Sequence, residues 1–179
     1  MIYTLEHHKH NFAVWAASTA ASASPLCRFE VRLGKLILER SGFTPDFNSK
    51  SIPSAREFDS IHASWRNLVI KVAKKNGKTF THGVAAKLLN CYLKVRFVCG
   101  GDYNSEIVDY IHPPIDALLL SELARNKFGS NAGIDWQSFQ KLRWSKFTSK
   151  QYELVISKIK SVMKEQPLWT LEKYWPIHA

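Results

Sequence analysis

The clearest pattern of hydrophobic positions lies between residues 54 and 77. The apolar side chains there are Phe58, Ile61, Trp65, Leu68, Val69 and Val72. Their intervals of three and four residues are typical of the buried face of an α-helix. Ser54 and Glu57 precede the run with the spacing of a capping box, and Gly77 follows it. The pattern predicts a helix that begins near Ser54 and ends at Lys75.

The same helical spacing recurs along most of the chain. The further predicted helices cover residues 6–22, 28–40 and 81–98, a stretch opened by Pro113 and Pro114, residues 148–163, and the short aromatic segment PLWTLEKYW. Thr148 and Gln151 form a second capping box. Residues 43–53, and a polar stretch from Gly100 to Pro113 with Asp102 and Asn104, are predicted loops.

The pattern also predicts which side chains face the core. In the first helix the shared face holds Phe12, Trp15, Ala16 and Thr19. In the second helix the inward residues are Phe29, Leu33, Leu36 and Ile37. Most of the six tryptophans are expected at core positions. Since no segment alternates apolar and polar residues as a strand does, we expect one all-α domain over residues 1–179 with seven or eight helices.

Composition is compatible with that fold. The chain has 179 residues, of which 45% are hydrophobic, which is enough for one core. No run of about 18 uncharged apolar residues exists, which argues against a membrane span. The apolar part of the N-terminus is short and mixed with Ser and Thr, so a signal peptide is disfavoured. We therefore expect a cytoplasmic protein without a membrane partner.

Neither cysteines nor histidines indicate a metal site. The cysteines are Cys27, Cys91 and Cys99. They contain no CxxC pair, so buried free thiols are favoured over a zinc site or a disulfide framework. Three histidines stand near the N-terminus, at His7, His8 and His10. They have no Cys or carboxylate at a ligand-like spacing, which favours a solvated helix start. We expect no metal and no cofactor.

Positive charge is concentrated in two parts of the chain. The formal net charge is +10 and the pI is about 9.6. No Asp or Glu occurs between Asp59 and Asp102, and a second basic cluster runs from Lys141 to Lys150. Such clusters favour a nucleic-acid partner, although a merely soluble basic surface is the alternative. The residues expected to contact DNA are Lys71, Lys74, Lys75, Lys78, Lys94, Arg96 and Lys146.

The chain carries none of the common hydrolase or nucleotide-binding signatures. GxxxxGK[ST], GxGxxG, HExxH and GxSxG are all missing from the sequence. What remains is Lys87 in HGVAAKLLNCYL and Asp116 in HPPID. Lys87, Asn90 and Lys94 fall on one side of their helix, which is typical of a water-facing surface and equally of the wall of a basic cleft. Asp116 is expected in the first turn of its helix, where helix electrostatics alone explain a carboxylate.

These two segments resemble the helix-hairpin-helix DNA glycosylases, in particular endonuclease III-like enzymes. The matching positions are Gly83, Val84, Lys87, Asn90, Leu93, Pro114, Ile115 and Asp116. KTFTHG replaces the usual Leu-Pro-Gly-x-Gly hairpin, and the spacing from lysine to aspartate is closer to that of archaeal 8-oxoguanine glycosylases. The resemblance implies that Lys87 attacks the sugar C1′ of a nucleotide whose damaged base is extruded, and that Asp116 supports this reaction electrostatically. Tyr92, Phe12 or Trp15 would then stack on the base.

Three functions remain open on these residues. The first is a DNA base-excision glycosylase, with or without lyase activity, that uses Lys87 and Asp116. The second is a non-enzymatic basic helical module that binds nucleic acid or an acidic protein. The third is a protein-interaction domain that docks through the aromatic tail from Trp169 to Trp175. HGVAAKLLNCYLK, HPPID and PLWTLEKYW together also resemble a bacterial protein family, and that resemblance implies no function.

Overall fold

The computed structural model describes residues 2–25, 27–101 and 105–175. Seven α-helices and no strand occur in these ranges, which confirms the all-α prediction. The helices are α1 Leu5–Ala21, α2 Val31–Arg40, α3 Phe58–Lys75, α4 His82–Leu93, α5 Ala117–Arg125, α6 Trp136–Leu142 and α7 Ser149–Met163. A π-helical turn, Lys94–Val98, continues α4. Short 3-10 helices occur at Ser49–Ser51, Glu106–Val108, Ser130–Ala132, Trp144–Lys146 and Leu168–Tyr174.

Helix α4 is the centre of the fold. Every residue from Gly83 to Leu93 is buried, and the helix packs against α1, α3, α7 and the turn Trp144–Lys146. A helix enclosed in this way needs apolar or small side chains all round, which explains most of GVAAKLLNCYL. The side chains of Lys87 and Asn90 in that segment must therefore find hydrogen-bonding partners inside the protein.

The predicted capping boxes have different outcomes. At α7 the box is confirmed, because the Thr148 side chain accepts from the Gln151 backbone while the Gln151 side chain accepts from Thr148 N. At α3 the box is wrong. Ser54 Oγ instead donates to the Glu57 carboxylate at 2.7 Å, and the helix begins only at Phe58, without a side-chain cap. The two side chains satisfy each other rather than the backbone N–H groups.

The predicted face of α1 is also wrong. Phe12 and Trp15 are 56% and 53% exposed and stack on each other at the surface. The buried side of α1 consists of His10, Ala13, Val14, Ala17, Ser18 and Ala21. Small side chains allow α1 to lie close against α4, and large aromatic rings on that side would hold the two helices apart.

Other side-chain expectations hold in part. Ile37 is buried, whereas Phe29, Leu33 and Leu36 are half-buried at the edge of the core. Trp136 and Trp144 are buried. Since Trp15, Trp169 and Trp175 are exposed and Trp65 is half-buried, the prediction that most tryptophans lie in the core is wrong. Cys27 and Cys91 are buried free thiols, whereas Cys99 is exposed.

The structure places one of the three N-terminal histidines in the interior. His10 is buried, and its ring lies 2.9 Å from Tyr92 Oη and 3.2 Å from a Glu39 carboxylate oxygen. Among the described residues, no three His, Cys, Asp or Glu side chains are grouped as metal ligands would be. None of the described helices is long and apolar enough to cross a membrane. Asp102 and Asn104 of the predicted polar loop lie outside the described residues.

Candidate active site

Lys87 and Asp116 are in contact. Lys87 Nζ donates a hydrogen bond to Asp116 Oδ2 at 2.7 Å. Only 6% of the lysine side chain and 15% of the aspartate side chain are exposed. The interpretation of Lys87 as part of a water-facing stripe is therefore wrong. An ammonium so deeply buried needs a counter-ion to offset its lost hydration, and Asp116 provides one.

Asp116 is oriented by the start of α5. It is the N-cap of this helix, one position before the expected first turn, and its Oδ1 accepts a hydrogen bond from Leu119 N at 2.8 Å. A carboxylate at this position satisfies an otherwise unpaired N–H group and interacts favourably with the helix dipole. Because one carboxylate oxygen is held by the helix, the other is directed at Lys87.

Asn90 fastens the segment that leads to Asp116. Its Nδ2 donates to the Pro113 carbonyl at 3.0 Å and to Tyr152 Oη at 2.9 Å. Asn90 is fully buried and lies one turn beyond Lys87 on α4. One face of α4 therefore holds HPPID at two points, the Pro113 carbonyl and the Asp116 carboxylate.

Trp144 is pressed against the start of α4. Thr81 Oγ1 donates to the Ser145 carbonyl at 2.9 Å, and Gly83 N donates to the Phe147 carbonyl at 3.2 Å. A Cβ on Gly83 would lie 1.8 Å from the Trp144 carbonyl oxygen, so only glycine allows this close approach. The packing sets the Trp144 ring centroid 5.7 Å from Lys87 Nζ, within reach of a cation–π contact.

The ion pair opens into a cavity of about 540 Å³. The residues that line it are Ala20, Ala23, Ser24, Pro25, Lys87, Asp116, Ala117, Leu118, Leu120, Gln140, Arg143, Trp144 and Ser145. Its volume is within the range of small-molecule sites, and its walls are mainly apolar with a few polar groups, as such sites usually are. An amine, a carboxylate and a guanidinium thus converge on one space large enough for a nucleobase.

Sequence reasoning missed Arg143 and Gln140 as cavity residues. Arg143 lies between α6 and the turn Trp144–Lys146 with φ 61° and ψ 114°. A positive φ is uncommon for a residue other than glycine, and such strained residues concentrate at functional sites. The basic cluster from Lys141 to Lys150 includes Arg143. No hydrophobic period or motif places either residue beside Lys87, so only the folded chain shows that both line the cavity.

The aromatic residues proposed to stack on a base lie away from the cavity. Tyr92 is fully buried and bonded to His10. Neither Phe12 nor Trp15 lines the cavity, because both lie on the outer face of α1. Trp144 is the aromatic side chain that does line it.

Three of the predicted DNA-contacting residues are engaged within the protein. Arg96 is 2% exposed and bonds to Glu6 and to two backbone carbonyls, so its assignment to a DNA-facing surface is wrong. Lys94 is half-buried and paired with Glu172, which leaves little of it for a phosphate. Lys78 donates to the Arg28 carbonyl at 3.0 Å. The side chains that remain exposed are Lys71, Lys74, Lys75 and Lys146.

A chain of buried hydrogen bonds begins at Arg66 in α3. The Arg66 guanidinium contacts Glu153 at 2.7 Å and His62 Nδ1 at 3.5 Å. His62 Nε2 then lies 2.8 Å from Asn90 Oδ1. Because arginine only donates, His62 Nδ1 is the acceptor and Nε2 carries the proton given to Asn90.

The chain continues from Asn90 to Asp59, which lies two turns before Arg66 on α3. Tyr152 Oη, which accepts from Asn90, lies 3.0 Å from His112 Nδ1. His112 Nε2 lies 2.9 Å from Asp59 Oδ1, and Asp59 also binds Lys160. Burial lowers the pKa of both His62 and His112, and for His112 the Asp59 carboxylate opposes this effect. With both imidazoles neutral, every donor in the chain points from Arg66 towards Asp59.

The free energy of unfolding is expected to fall as the pH drops below about 6.5. His62 and His112 have lowered pKa values in the folded state. The unfolded chain therefore binds protons first, and stability that is complete above about pH 6.5 is lost on acidification, by up to about 1.4 kcal/mol per pH unit for each histidine. Chemical denaturation at pH 7, 6 and 5 measures this loss. His62→Gln should flatten the profile and exposed His8→Gln should not, whereas a flat wild-type profile would contradict the prediction.

No family model, curated protein or solved structure matches this chain. The remaining indications of function are the geometry of the site and the motif resemblance at Lys87 and Asp116.

Proposed function

We propose that this protein is a DNA base-excision glycosylase with lyase activity, in which Lys87 is the nucleophile. The observation that carries the proposal is the buried contact between Lys87 Nζ and Asp116 Oδ2, at 2.7 Å, on the wall of a cavity of about 540 Å³. Lysine is rarely buried unless it is paired, because desolvation of the ammonium is costly, and here the paired lysine also lines a cavity. The same two residues carry the resemblance to the helix-hairpin-helix glycosylases.

The contact gives the amine a proton acceptor. A protonated lysine is not a nucleophile, and the Asp116 carboxylate already accepts a hydrogen bond from Nζ. Transfer of one proton to Asp116 frees the lone pair of the amine to attack C1′ of the nucleotide. The C1′–N bond then breaks, its electron pair leaves with the base, and the base takes up a proton. A second proton then leaves the nitrogen, whose lone pair forms a C1′=N double bond. The C1′–O4′ bond breaks as this happens, its electron pair stays on O4′, and O4′ takes up a proton. The product is a ring-opened, protonated imine.

The cavity suits an extruded base. Enzymes that act on a base within a duplex take it out of the stack into a pocket that binds its flat face and its polar edge. Here the flat surface is the buried Trp144 ring, and the polar groups beside it are Gln140 and Ser145. Leu118 and Leu120 add apolar side chains to the lining.

Borohydride trapping tests the proposal directly. The protein is incubated with duplex oligonucleotides that contain 8-oxoguanine, uracil or an abasic site, and borohydride reduces any imine to a stable amine. The expected result is a protein–DNA cross-link with the abasic duplex and with at least one damaged base, and none with an undamaged duplex. If none of the three substrates gives a cross-link, this mechanism is rejected.

A second candidate is a non-enzymatic basic module that binds nucleic acid. The observation that favours it is that residues of the site already have structural roles. Asp116 caps α5, and Asn90 donates a hydrogen bond to the Pro113 carbonyl. Lys87 would then serve only to fasten HPPID to α4. This candidate predicts salt-sensitive binding without any covalent product.

A further inference from the structure

A second groove adjoins the cavity and differs from it in chemistry. It has a volume of about 520 Å³ and lies between α5 and α6. The residues that line it are Ser121, Ala124, Arg125, Gln137, Gln140 and Lys141. Gln140 lines both the groove and the cavity, so the two are adjacent, and together they are called the depression below.

The groove is lined by hydrogen-bond donors. Apart from Ala124, its residues are two cations, two amides and a hydroxyl, and no carboxylate is among the described residues that line it. Phosphate oxygens of nucleic acids are bound by this set of groups, namely Arg, Lys, Gln and Ser side chains. A protein surface without a bound anion gains nothing from cations grouped in a depression, because they repel one another.

Two cations of this depression form no ion pair with the described residues, although the pKa of Asp135 is lowered by hydrogen bonds from Ser138 and, to a smaller extent, by the charge of Lys141. In the part of the chain that the structure describes, neither Lys141 nor Arg143 has a carboxylate within ion-pair distance, and both are exposed. Arg125 is partly neutralised by Glu122 of its own helix. Lys141 lines the groove, and Arg143 lines the adjacent cavity that contains Lys87.

We infer that the α5–α6 groove binds the phosphodiester backbone of the nucleic acid whose nucleotide enters the cavity, with Lys141 and Arg143 as the main phosphate contacts. This inference rests on the proposed function for the identity of the ligand. The phosphate contacts inferred here differ from Lys71, Lys74 and Lys75 of α3, which the sequence suggested as DNA contacts. Helix α3 packs against α2 and α4, and neither Lys71 nor Lys74 lines the cavity or the groove.

The experiment compares two double variants that remove the same charge. Lys141→Gln/Arg143→Gln removes two cations at the depression, and Lys71→Gln/Lys74→Gln removes two exposed cations from α3. The probe is a fluorescein-labelled duplex that contains a tetrahydrofuran abasic analogue, which has no C1′ hydroxyl and forms no imine. Fluorescence anisotropy gives the Kd at several salt concentrations, and circular dichroism confirms that each variant is folded.

We expect Lys141→Gln/Arg143→Gln, the depression variant, to raise the Kd about tenfold or more. The slope of log affinity against log salt concentration should become smaller by nearly 2, since each lost phosphate contact removes about 0.9 from it. The α3 variant should change the Kd less than about threefold. Equal losses in both variants, or a larger loss in the α3 variant, overturn the inference. So does a wild-type protein that binds neither this duplex nor its undamaged equivalent at low salt.

Failure of the proposed function has a separate signature. If the depression variant alone weakens binding while wild-type protein yields no borohydride cross-link, the groove is a phosphate site of a non-enzymatic binder. In that case the inference holds and the glycosylase proposal does not. If instead the cross-link forms and depends on Lys87 but the two double variants bind alike, the enzyme stands and the groove does not bind the backbone.

Discussion

Lys87→Gln is expected to abolish the borohydride cross-link and to slow base excision by about 10³-fold or more, as loss of a nucleophile does in enzymes that form covalent intermediates. Glutamine has no nucleophilic amine, so no imine can form. It still reaches towards Asp116 and can donate a hydrogen bond to the carboxylate that Lys87 Nζ now contacts at 2.7 Å. For this reason Lys87→Gln tests the chemistry with less disturbance than Lys87→Ala, which would leave the carboxylate unpaired in a site where it is 15% exposed.

Helix α4 offers a matched control for this variant. Lys94 lies two turns beyond Lys87, at the start of the π-helical turn that continues α4. It is also largely covered and forms its own ion pair with Glu172. Lys94→Gln therefore removes the same charge and a comparable internal contact without touching the cavity. Its thermal stability should fall about as far as that of Lys87→Gln, while its cross-link and excision rate stay near wild type. A cross-link that survives in Lys87→Gln would mean that another amine reacts.

The affinity of the Lys87 variant separates chemistry from binding. Single-turnover rates with protein in excess report the chemical step, and anisotropy with the tetrahydrofuran duplex reports binding. We expect the Kd to change less than about threefold, because one buried and neutralised cation contributes little to the field that attracts DNA. A parallel loss of affinity and rate would instead mean that Lys87 contributes to DNA binding and not only to the chemical step.

The elements of the fold were readable from the sequence where the signals are local. A capping box at Thr148 and Gln151 and an apolar face ending at Met163 predict α7, and both are confirmed. Likewise α4 begins after Thr81, whose side chain caps it, close to its predicted start. Such signals depend only on residues within a few positions of each other, so no tertiary contact is needed to recognise them.

Burial was misjudged where distant residues decide it. His62 and Arg66 lie on the buried face of α3, whereas Ile61 and Leu68 of the predicted face are more than a third exposed. Hydrophobic patterns assign polar side chains to water, yet these two are paired with groups far away in the chain, such as Asn90. The error in α1 has the opposite origin, because tight packing selects small side chains over hydrophobic ones.

In the candidate site, too, the local motifs could be recognised from the sequence, whereas the contacts between distant residues could not. The motif resemblance drew attention to Lys87 and Asp116, and the structure brings these residues together. The cavity beside them could not be foreseen, since its walls come from the end of α1, from α5 and from the turn after α6. Arg143 in particular acquires its position from a backbone conformation that its residue type does not favour.

The buried hydrogen-bond chain makes Asn90 the residue whose loss should destabilise the protein most. Asn90→Leu has a similar volume and is expected to lower the free energy of unfolding by about 3 to 5 kcal/mol, since each buried polar group left without a partner costs about 1 to 3 kcal/mol. Three groups lose a bond to Asn90, namely His62 Nε2, the Pro113 carbonyl and Tyr152 Oη. Leucine offers none of them a replacement, and water has little access because Asn90 is 0% exposed.

Urea denaturation measures this loss, and Asn67→Leu is its control. Asn67 also lies on a helix but is exposed, so the same substitution there should change the free energy of unfolding by no more than about 0.5 kcal/mol.

The Asn90 variant also tests the link between the core and the site. Release of the Pro113 carbonyl frees the segment that carries Asp116, so under conditions where the variant is still folded, its rate of cross-linking should fall while its affinity for the tetrahydrofuran duplex holds. If Asn90→Leu is as stable as Asn67→Leu, the hydrogen-bond chain does not stabilise the fold, and the positioning of Asp116 must come from its N-cap bond alone.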